Sequence, residues 1–208
     1  MLVVSFVEEK PPEMSMATLS LATPKLPMKI IVAMDTSLGI GKNGEVPWYL
    51  AGDLCRFRRL TTTTEDPAKQ NAVLMGRRVW ESIPEGKRPL NKRLNVVLST
   101  TMAEPEDGSY LVARSFQGAL DMLNGMSDKI ETIWNIGGYR VYEEGLKSPQ
   151  LYQMALTFVD GDFGADVVFP HVDMEKFVKL ENGEDDLINV ERGIRYRFET
   201  FQSLHYVG

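Results

Sequence analysis

The stretch AMDTSLGIGKNGEVPWYLAGDLCRFRRLT, residues 33–61, places a glycine-rich run, an aromatic residue and a helical pattern in close succession. In its second half, apolar residues recur at spacings of three and four: Leu50, Leu54, Phe57 and Leu60. This spacing predicts a helix over residues 51–60 with one apolar face. Asp53 lies on that face. Because a buried, unpaired carboxylate costs several kcal/mol, Asp53 either charges the first helical turn or takes part in function, and the pattern leaves both open.

The residues before this helix form a glycine-rich run, Gly39-Ile40-Gly41-Lys42-Asn43-Gly44. Three glycines in six positions indicate an irregular loop whose backbone can approach a ligand closely and act as a lid. Pro47 and Trp48 follow, and the tryptophan supplies an aromatic wall with one N–H donor. A strand, this loop, an aromatic residue and an acid-bearing helix together predict a pocket.

Apolar, β-rich runs alternate with helical patterns through most of the chain, which predicts an α/β fold. Runs typical of strands buried in a parallel sheet occur at 29–34, 71–75, 94–98 and 132–136. Helices are predicted at 51–60, 76–82, 115–123 with Ser115 as N-cap, and 138–146. Only β-rich segments follow, at 151–159, 177–180 and 194–201. We therefore predict a central, mostly parallel mixed sheet flanked by helices, with antiparallel C-terminal strands.

Three glycine-bearing segments follow predicted strands, at the end of the sheet where α/β proteins bind ligands. They are the glycine run, Gly76-Arg77-Arg78, and Gly137-Gly138. Two guanidinium groups where a strand turns into a helix suit a phosphate, although two solvated arginines would give the same pattern. We expect the three segments to converge on one crevice.

The composition is that of one globular domain: 208 residues, 43% hydrophobic and 25% charged. With 23 basic and 29 acidic residues the net charge is −6, which argues against nucleic acid as a partner. No apolar run is long enough to span a membrane. The single cysteine, Cys55, excludes an internal disulfide and fits a cytoplasmic protein. His171 and His205 are far apart, and no metal site is predicted.

Residues 1–27 differ in composition from the rest of the chain. They contain four prolines, three glutamates and two lysines, which fits neither a signal peptide nor a mitochondrial transit peptide. We predict a mobile arm over residues 1–27 and one domain over 28–208. The alternative is that the apolar run 2–7 adds an edge strand.

Five ordered blocks resemble the dihydrofolate reductases, in register through most of residues 28–207. The blocks are 33–53 with Asp53 five positions after Trp48, MGRRVWESIP at 75–84, RPLNKR at 88–93, IGGYRVY at 136–142, and Phe169-Pro170. The resemblance implies that the chain reduces 7,8-dihydrofolate to 5,6,7,8-tetrahydrofolate with NADPH, a hydride going to C6 and a proton to N5. It also implies a monomeric, cytoplasmic enzyme that serves one-carbon and thymidylate metabolism. Antifolate inhibitors would bind to such an enzyme.

The resemblance places NADPH along the three glycine-bearing segments. Arg77, Arg78 and Arg114 would contact its phosphates, including the 2′-phosphate that distinguishes NADPH from NADH. Gly137-Gly138 would form a cis peptide, and Val79 stands where most members have a threonine that binds the pyrophosphate. The implied cofactor residues are Ala33, Ile40, Gly41, Gly44, Val46, Gly76, Arg77, Arg78, Val79, Ser99, Thr100, Arg114, Ile136, Gly137, Gly138, Tyr139, Arg140, Val141 and Tyr142.

The resemblance also assigns the substrate side. Asp53 would bind the pterin and supply the proton through a water near Trp48, Thr157 would bond its carboxylate, and Tyr142 would lie beside the nicotinamide; these four are the implied catalytic residues. We expect burial beside Leu54 and Phe57 to raise the pKa of Asp53. The implied substrate residues are Ile31, Val32, Ala33, Asp53, Leu54, Phe57, Ile83, Leu90, Arg93, Ile136 and Thr157.

Arg93 would pair with the α-carboxylate of the glutamate tail of folate, although a solvated strand end is the alternative. Two other functions remain open at this point: a pyrimidine reductase of riboflavin synthesis, and a pterin-binding or RNA-regulatory protein without turnover. Asp53, Trp48 and Arg93 argue against the first of these. Asp53, Trp48, Thr157 and the paired glycines argue against the second.

Overall fold

The structure is a computed structural model and describes residues 25–181, 183 and 187–206. The arm predicted at residues 1–27 lies outside the described residues except for its last three. Leu26 is buried, its N–H donates to Asn124 Oδ1 (2.9 Å), and its carbonyl accepts from Gln150 Nε2 (2.8 Å). The Pro27 carbonyl accepts from the Ile133 N–H (3.0 Å). The folded domain therefore extends at least two residues before the predicted boundary.

The described residues form eleven strands and four α-helices. The strands are β1 (Met28–Met34), β2 (Gly39–Gly41), β3 (Gln70–Gly76), β4 (Arg93–Leu98), β5 (Leu111–Ala113), β6 (Ile130–Gly137), β7 (Leu151–Val159), β8 (Val167–Val168), β9 (Phe177–Leu180), β10 (Asn189–Glu191) and β11 (Ile194–Ser203). The helices are α1 (Ala51–Thr62), α2 (Arg77–Ser82), α3 (Phe116–Asn124) and α4 (Tyr139–Lys147). Within the described residues every predicted helix and strand is present near its predicted bounds, whereas β2, β5, β8 and β10 were not predicted. The alternative edge strand at residues 2–7 lies outside the described residues.

The main sheet has the order β10-β11-β7-β1-β6-β3-β4-β5, and β9 also pairs with β11. The pairings from β7 to β5 are parallel, and β11 is antiparallel to β7, β9 and β10. This confirms the predicted mixed sheet. In one detail the prediction was wrong: β7, expected in the antiparallel group, is parallel to β1, because α4 is a crossover that returns the chain to the same end of the sheet.

Helices cover both faces of this sheet. On one face, Phe116 and Leu120 of α3 and Val141 of α4 pack with the strands, and on the other Trp80 of α2 does so. The helix α3 begins as predicted, since the Ser115 hydroxyl accepts from the Gly118 N–H (3.0 Å). No helix in the described part of the chain is long and apolar enough to cross a membrane.

The predicted apolar face of α1 is only partly buried. Phe57 and Leu60 pack against the sheet, but the Leu54 side chain is 49% exposed. The fully buried positions of the helix are instead polar, Arg56 and Thr61. The buried Arg56 guanidinium is stabilised by stacking over the Phe198 ring, with its Cζ 4.4 Å from the ring centroid. The spacing of apolar residues does not reveal such a contact.

The prediction of an irregular loop for the glycine run was also wrong in part. Gly39–Gly41 forms β2, which pairs antiparallel with β8. The Asn43 N–H donates to Asp166 Oδ2 (2.8 Å), and Lys42 Nζ donates to the Phe163 carbonyl (2.9 Å). Glycine can adopt an extended conformation when a partner strand satisfies its backbone, and the segment 163–168 supplies that partner.

Candidate active site

Asp53 lies in the first turn of α1 and is joined to the sheet by one short hydrogen bond. The Thr157 hydroxyl donates to Asp53 Oδ1 at 2.7 Å, as the resemblance implied. Thr157 is buried in β7, where it is paired with Ala33 of β1. The carboxylate therefore faces the carboxyl ends of the parallel strands, where the predicted pocket was expected.

Burial raises the pKa of Asp53 above its ordinary value, and the negative charge of Glu191 raises it further. The hydrogen bond from Thr157 and the positive charge of Arg56 act in the opposite direction but do not cancel the effect of burial. The expected direction is confirmed, although Leu54 is too exposed to account for much of the burial. A carboxyl group in this environment holds a proton closer to neutral pH than an ordinary aspartate does.

Trp48 supplies the aromatic wall of the site. Its side chain is buried, and its ring packs edge-on against Phe163 with centroids 5.1 Å apart. Within the described part of the chain, no group accepts a hydrogen bond from Trp48 Nε1. Because a buried donor without a partner is costly, this N–H fits contact with a bound molecule or an ordered water.

The peptide bond between Gly137 and Gly138 is cis, as the resemblance implied. Gly137 has φ 92°, and a Cβ atom on it would overlap the Tyr142 ring, so only glycine fits. Buried Asn135 holds this turn by accepting from the Gly137 N–H (3.0 Å) and donating to the Val141 carbonyl (2.7 Å). Asn135 was not predicted as a site residue; its signal was one amide among the apolar residues Ile133, Trp134 and Ile136.

Tyr142 lies between the diglycine and Asp53. Its hydroxyl donates to the Ile31 carbonyl (2.9 Å), and its ring packs edge-on against Phe169 at 5.1 Å. Burial, followed by the charge of Asp53, raises the pKa of Tyr142 strongly. The Tyr142 hydroxyl proton is thus directed to the Ile31 carbonyl, and the Tyr142 ring lies against Gly137 of the diglycine.

The second and third glycine-bearing segments meet in the structure. A Cβ atom on Gly76 would lie 3.4 Å from Val141 Cγ2 and 3.8 Å from the Gly138 nitrogen. A Cβ atom on Gly138 would lie 3.5 Å from Val79 Cγ2. The start of α2 therefore packs directly against the diglycine, and the predicted convergence of these two segments is confirmed.

Arginines extend this crevice toward the ends of β4 and β5. Arg77 Nε donates to Glu81 Oε1 (2.6 Å), and its Nη1 donates to Thr101 Oγ1 (3.1 Å). Arg114 Nη1 donates to the carbonyls of Ser99 (2.9 Å) and Met102 (2.6 Å). Three exposed cations near one end of the sheet, Arg77, Arg78 and Arg114, with Ser99 and Thr100 close by, form a donor set that fits the phosphates of a dinucleotide.

The predicted substrate slot is an apolar wall with one arginine at its end. Phe57, Ile83 and Leu90 all pack against the buried cluster that contains Ile31 and Ile136. Val32 does not share this wall, because successive side chains of a strand point to opposite faces, and it packs in the cluster on the other face.

The Arg93 guanidinium lies 5.7 Å from the Phe57 ring centroid, and its Nη1 donates to Thr61 Oγ1 (2.7 Å). Burial lowers the pKa of Arg93, and the positive charge of Arg58 lowers it further. Among the described residues, no carboxylate forms a salt bridge with Arg93. Arg58 likewise forms no salt bridge with a described residue, and two neighbouring guanidinium groups of this kind fit an anionic group of a ligand.

The other predicted residues line the rim of the site. Val46 is 59% exposed and lines, with Trp48 and Phe163, a cavity of about 530 Å³ beside the glycine run. Tyr139 and Arg140 are exposed at the start of α4. Ile40, Gly41 and Gly44 lie in or next to β2, so their place is fixed by the pairing of β2 with β8.

Asp35 holds the start of the glycine run and was not predicted. Its buried carboxylate accepts from the N–H groups of Ser37 (2.9 Å), Gly39 (2.7 Å) and Phe163 (3.1 Å). An acid directly after a buried strand, before a Thr-Ser pair, was the available signal. Glu191 and Tyr196, which contact the start of α1, were also missed, and no local pattern signals a contact across so much of the chain.

Comparison with known proteins identifies the family to which this site belongs. A sequence profile described as Dihydrofolate reductase matches residues 27–203. The chain belongs to the dihydrofolate reductase family. It is 39% identical over 181 residues to dihydrofolate reductase of Sus scrofa, covering 85% of this chain and 97% of that protein, and 37% identical over 177 residues to that of Gallus gallus, covering 83% and 94%.

A solved structure, Schistosoma mansoni dihydrofolate reductase, superposes with a TM-score of 0.77 at 32% identity, covering 86% of this chain and all of that one. The family and the fold class indicated by the sequence motifs are thus confirmed, and the chain is an enzyme of the oxidoreductase class. Reduction of dihydrofolate to tetrahydrofolate with a nicotinamide cofactor is the activity of this family.

Proposed function

We propose that this chain reduces 7,8-dihydrofolate to 5,6,7,8-tetrahydrofolate with NADPH as hydride donor. The observation that carries the proposal is the position of Asp53: a partly buried carboxyl group, bonded to Thr157, on the same crevice as the cis diglycine. Dihydrofolate carries adjacent N–H and NH₂ donors on its pterin ring, which one carboxylate can accept as a fork. The product would serve one-carbon and thymidylate metabolism.

The reaction adds a hydride to C6 and a proton to N5, so that the C6=N5 double bond becomes a single bond. When bound, the nicotinamide supplies the hydride. Asp53 would supply the proton indirectly, and because burial raises its pKa, a larger fraction of it is protonated at a given pH than of an ordinary aspartate. A water that bridges Asp53 and the free Nε1 of Trp48 would carry the proton toward N5.

The remaining residues bind and orient the two ligands. Phe57, Ile83 and Leu90 would flank the p-aminobenzoyl group, and Arg93 would pair with the α-carboxylate of the glutamate tail. Arg77 would contact the 2′-phosphate, which favours NADPH over NADH. Flat antifolates that carry the same donor pair as the pterin would compete at Asp53.

We further propose that the enzyme is a cytoplasmic monomer. The single cysteine, Cys55, is exposed and fits a reducing compartment, which supports the cytoplasmic location. The location and the oligomeric state stay predictions. Fractionation of the host cell and sedimentation of the purified chain test them separately.

The decisive assay follows absorbance at 340 nm with the full chain, NADPH and dihydrofolate. We expect oxidation of NADPH that requires dihydrofolate and that is slower with NADH at equal concentration. Tight binding of dihydrofolate without turnover would contradict the proposal in favour of a pterin-binding protein. Turnover of an aminopyrimidine precursor of riboflavin in place of dihydrofolate would contradict it in favour of the related reductase.

A further inference from the structure

The helix that carries Asp53 is capped by a residue from the far end of the chain. Leu50, at the N-cap position of α1, has no side chain that can accept a hydrogen bond. Instead Glu191 Oε2 accepts from the Ala51 N–H (2.7 Å) and Glu191 Oε1 accepts from the Gly52 N–H (2.8 Å). One carboxylate from β10 thus satisfies two of the four N–H groups that every helix leaves free at its start.

A second contact holds this carboxylate in place. The hydroxyl of Tyr196 in β11 donates to Glu191 Oε1, and the Tyr196 ring is buried against Phe198 at 5.5 Å. The bond from Tyr196, followed by those from Gly52 and Ala51, lowers the pKa of Glu191, so that it is charged at neutral pH. The capping group is therefore a fixed anion.

The turn between β10 and β11 also contacts Tyr49, in the segment just before α1. The Arg192 guanidinium lies 4.7 Å from the ring centroid of Tyr49, and the turn has φ of 53° at Arg192 and 79° at Gly193. Gly52 completes the fit, because a Cβ atom there would overlap the Tyr196 hydroxyl and lie 2.7 Å from Glu191 Oε1. The hairpin turn and the start of α1 are complementary over residues 49–52.

Asp53 is the next residue, and several groups on other elements face it. Thr157 on β7 donates to it, Arg56 lies on its own helix, and Glu191 on β10 is the acidic group in its surroundings. The negative charge of Asp53 also contributes to raising the pKa of Tyr142 on α4 and of Tyr196 on β11. Of these groups, Glu191 is the one whose charge opposes ionisation of Asp53.

We propose that Glu191, held by Tyr196, is a positioning residue for Asp53: it caps and fixes the first turn of α1, which carries the acid. The negative charge held at that turn then acts on the Asp53 carboxyl group. This inference rests on the proposed function for its kinetic consequence only. The structural part, a long-range cap that acts on the Asp53 carboxyl group, stands independently of the substrate.

The test removes the charge and keeps the shape, with the substitution Glu191→Gln in the full chain. One readout is the titration of the Asp53 carboxyl carbon by NMR, with ¹³C-labelled aspartate and the Asp53→Asn variant for assignment. We expect Asp53 to titrate at lower pH in Glu191→Gln than in the wild type. In the NADPH and dihydrofolate assay, kcat at neutral pH should fall roughly two- to tenfold, and the loss should shrink as the pH is lowered.

Two further variants separate charge from structure. Glu191→Asp restores the charge and should return the pH profile toward that of the wild type. Glu175→Gln removes an exposed acid from the short helical turn Met174–Lys176, away from α1, and should leave both the titration and the pH profile unchanged. If Glu191→Gln does not fold, Tyr196→Phe, which removes one of the three hydrogen bonds to the carboxylate but keeps the ring, should lower kcat more than it raises KM.

An Asp53 titration that is the same in Glu191→Gln and the wild type would overturn the inference, whatever the enzyme reduces. A parallel loss at every pH, with that titration unchanged, would mean a merely structural role and would also overturn it. Absence of turnover in the wild type would instead contradict the proposed function, and the NMR titration would still decide the role of Glu191.

Discussion

Thr157 donates a 2.7 Å hydrogen bond to Asp53, and this contact joins β7 to the helix that carries the acid. Thr157 is also the strand partner of Ala33, so the bond fixes the carboxylate relative to the end of β1. The same bond favours the ionised form of Asp53 and so limits the rise in pKa that burial causes. Thr157 therefore adjusts both the position and the proton affinity of the acid.

Replacing Thr157 with valine tests this adjustment. Thr157→Val keeps the branched shape but removes the donor, so the pKa of Asp53 should rise above its value in the wild type. The basic limb of the pH profile of kcat/KM should then move to higher pH. Thr157→Ser, which keeps the hydroxyl, is the matched control and should leave the limb in place. If the basic limb stays in place in Thr157→Val as well, the hydrogen bond from Thr157 does not control the pKa of Asp53.

Val79 offers a gain-of-affinity test. It lies in α2 against Gly138, where most family members have a threonine that binds the cofactor pyrophosphate. Val79→Thr should therefore add a hydrogen bond worth about 0.5–1.5 kcal/mol, or roughly 2- to 12-fold in the Kd for NADPH. Fluorescence titration measures this, with Val79→Ala as a control that adds no donor. Equal or weaker NADPH affinity of Val79→Thr would refute the idea.

Arg77 should determine the preference for NADPH over NADH. Its guanidinium is directed to Thr101, beyond the end of β4, by a bond of 3.1 Å. Removing a charge-assisted contact to the 2′-phosphate costs about 1.5–3 kcal/mol, so Arg77→Gln should raise the Kd for NADPH roughly 10- to 100-fold and leave that for NADH almost unchanged. Lys147→Gln, at the far end of α4, controls for loss of charge. Equal weakening for both cofactors would place the 2′-phosphate elsewhere.

The boundary of the domain can be tested by truncation. A chain that begins at Met28 loses the buried Leu26 side chain. It also loses the hydrogen bonds that the Leu26 backbone forms with the side chains of Asn124 and Gln150. Its free energy of unfolding should be lower by roughly 2–5 kcal/mol than that of a chain that begins at Lys25. Urea denaturation of the two forms measures the difference. Equal stability would mean that residues 25–27 contribute nothing to the fold.

The sequence was most informative where neighbouring residues determine the structure. The strand and helix bounds and the Ser115 cap follow from local spacing and local hydrogen bonds. It was less informative where the partner is distant. The pairing of Gly39–Gly41 with β8 and the cap that Glu191 provides to α1 both depend on contacts across more than a hundred residues.

The site residues divide in the same way. Asp53, Thr157 and the diglycine were found through motifs that resemble a known family, and the structure brings them together. Asp35 and Asn135 were missed, although each is a buried polar residue beside apolar strand residues and each fixes a glycine of the site. A buried polar side chain in such a strand is a signal of positioning that a search for catalytic residues passes over.

The substitution Asp53→Asn tests the account as a whole, and the variant is expected to fold. Because burial raises the pKa of Asp53 in the folded state, folding favours its protonated form, and its contribution to stability declines as the pH rises from about 3.9 through the folded pKa. Asp53→Asn should therefore be at least as stable as the wild type at pH 7, with no such advantage near pH 3. Thermal unfolding at the two pH values checks this.

The most direct measurement is then kcat for dihydrofolate with NADPH at neutral pH, for the wild type and for Asp53→Asn. The account predicts a loss of roughly 10²- to 10⁴-fold in a folded variant that still binds NADPH. Turnover close to that of the wild type would contradict the assignment of Asp53 as the acid on which the site depends.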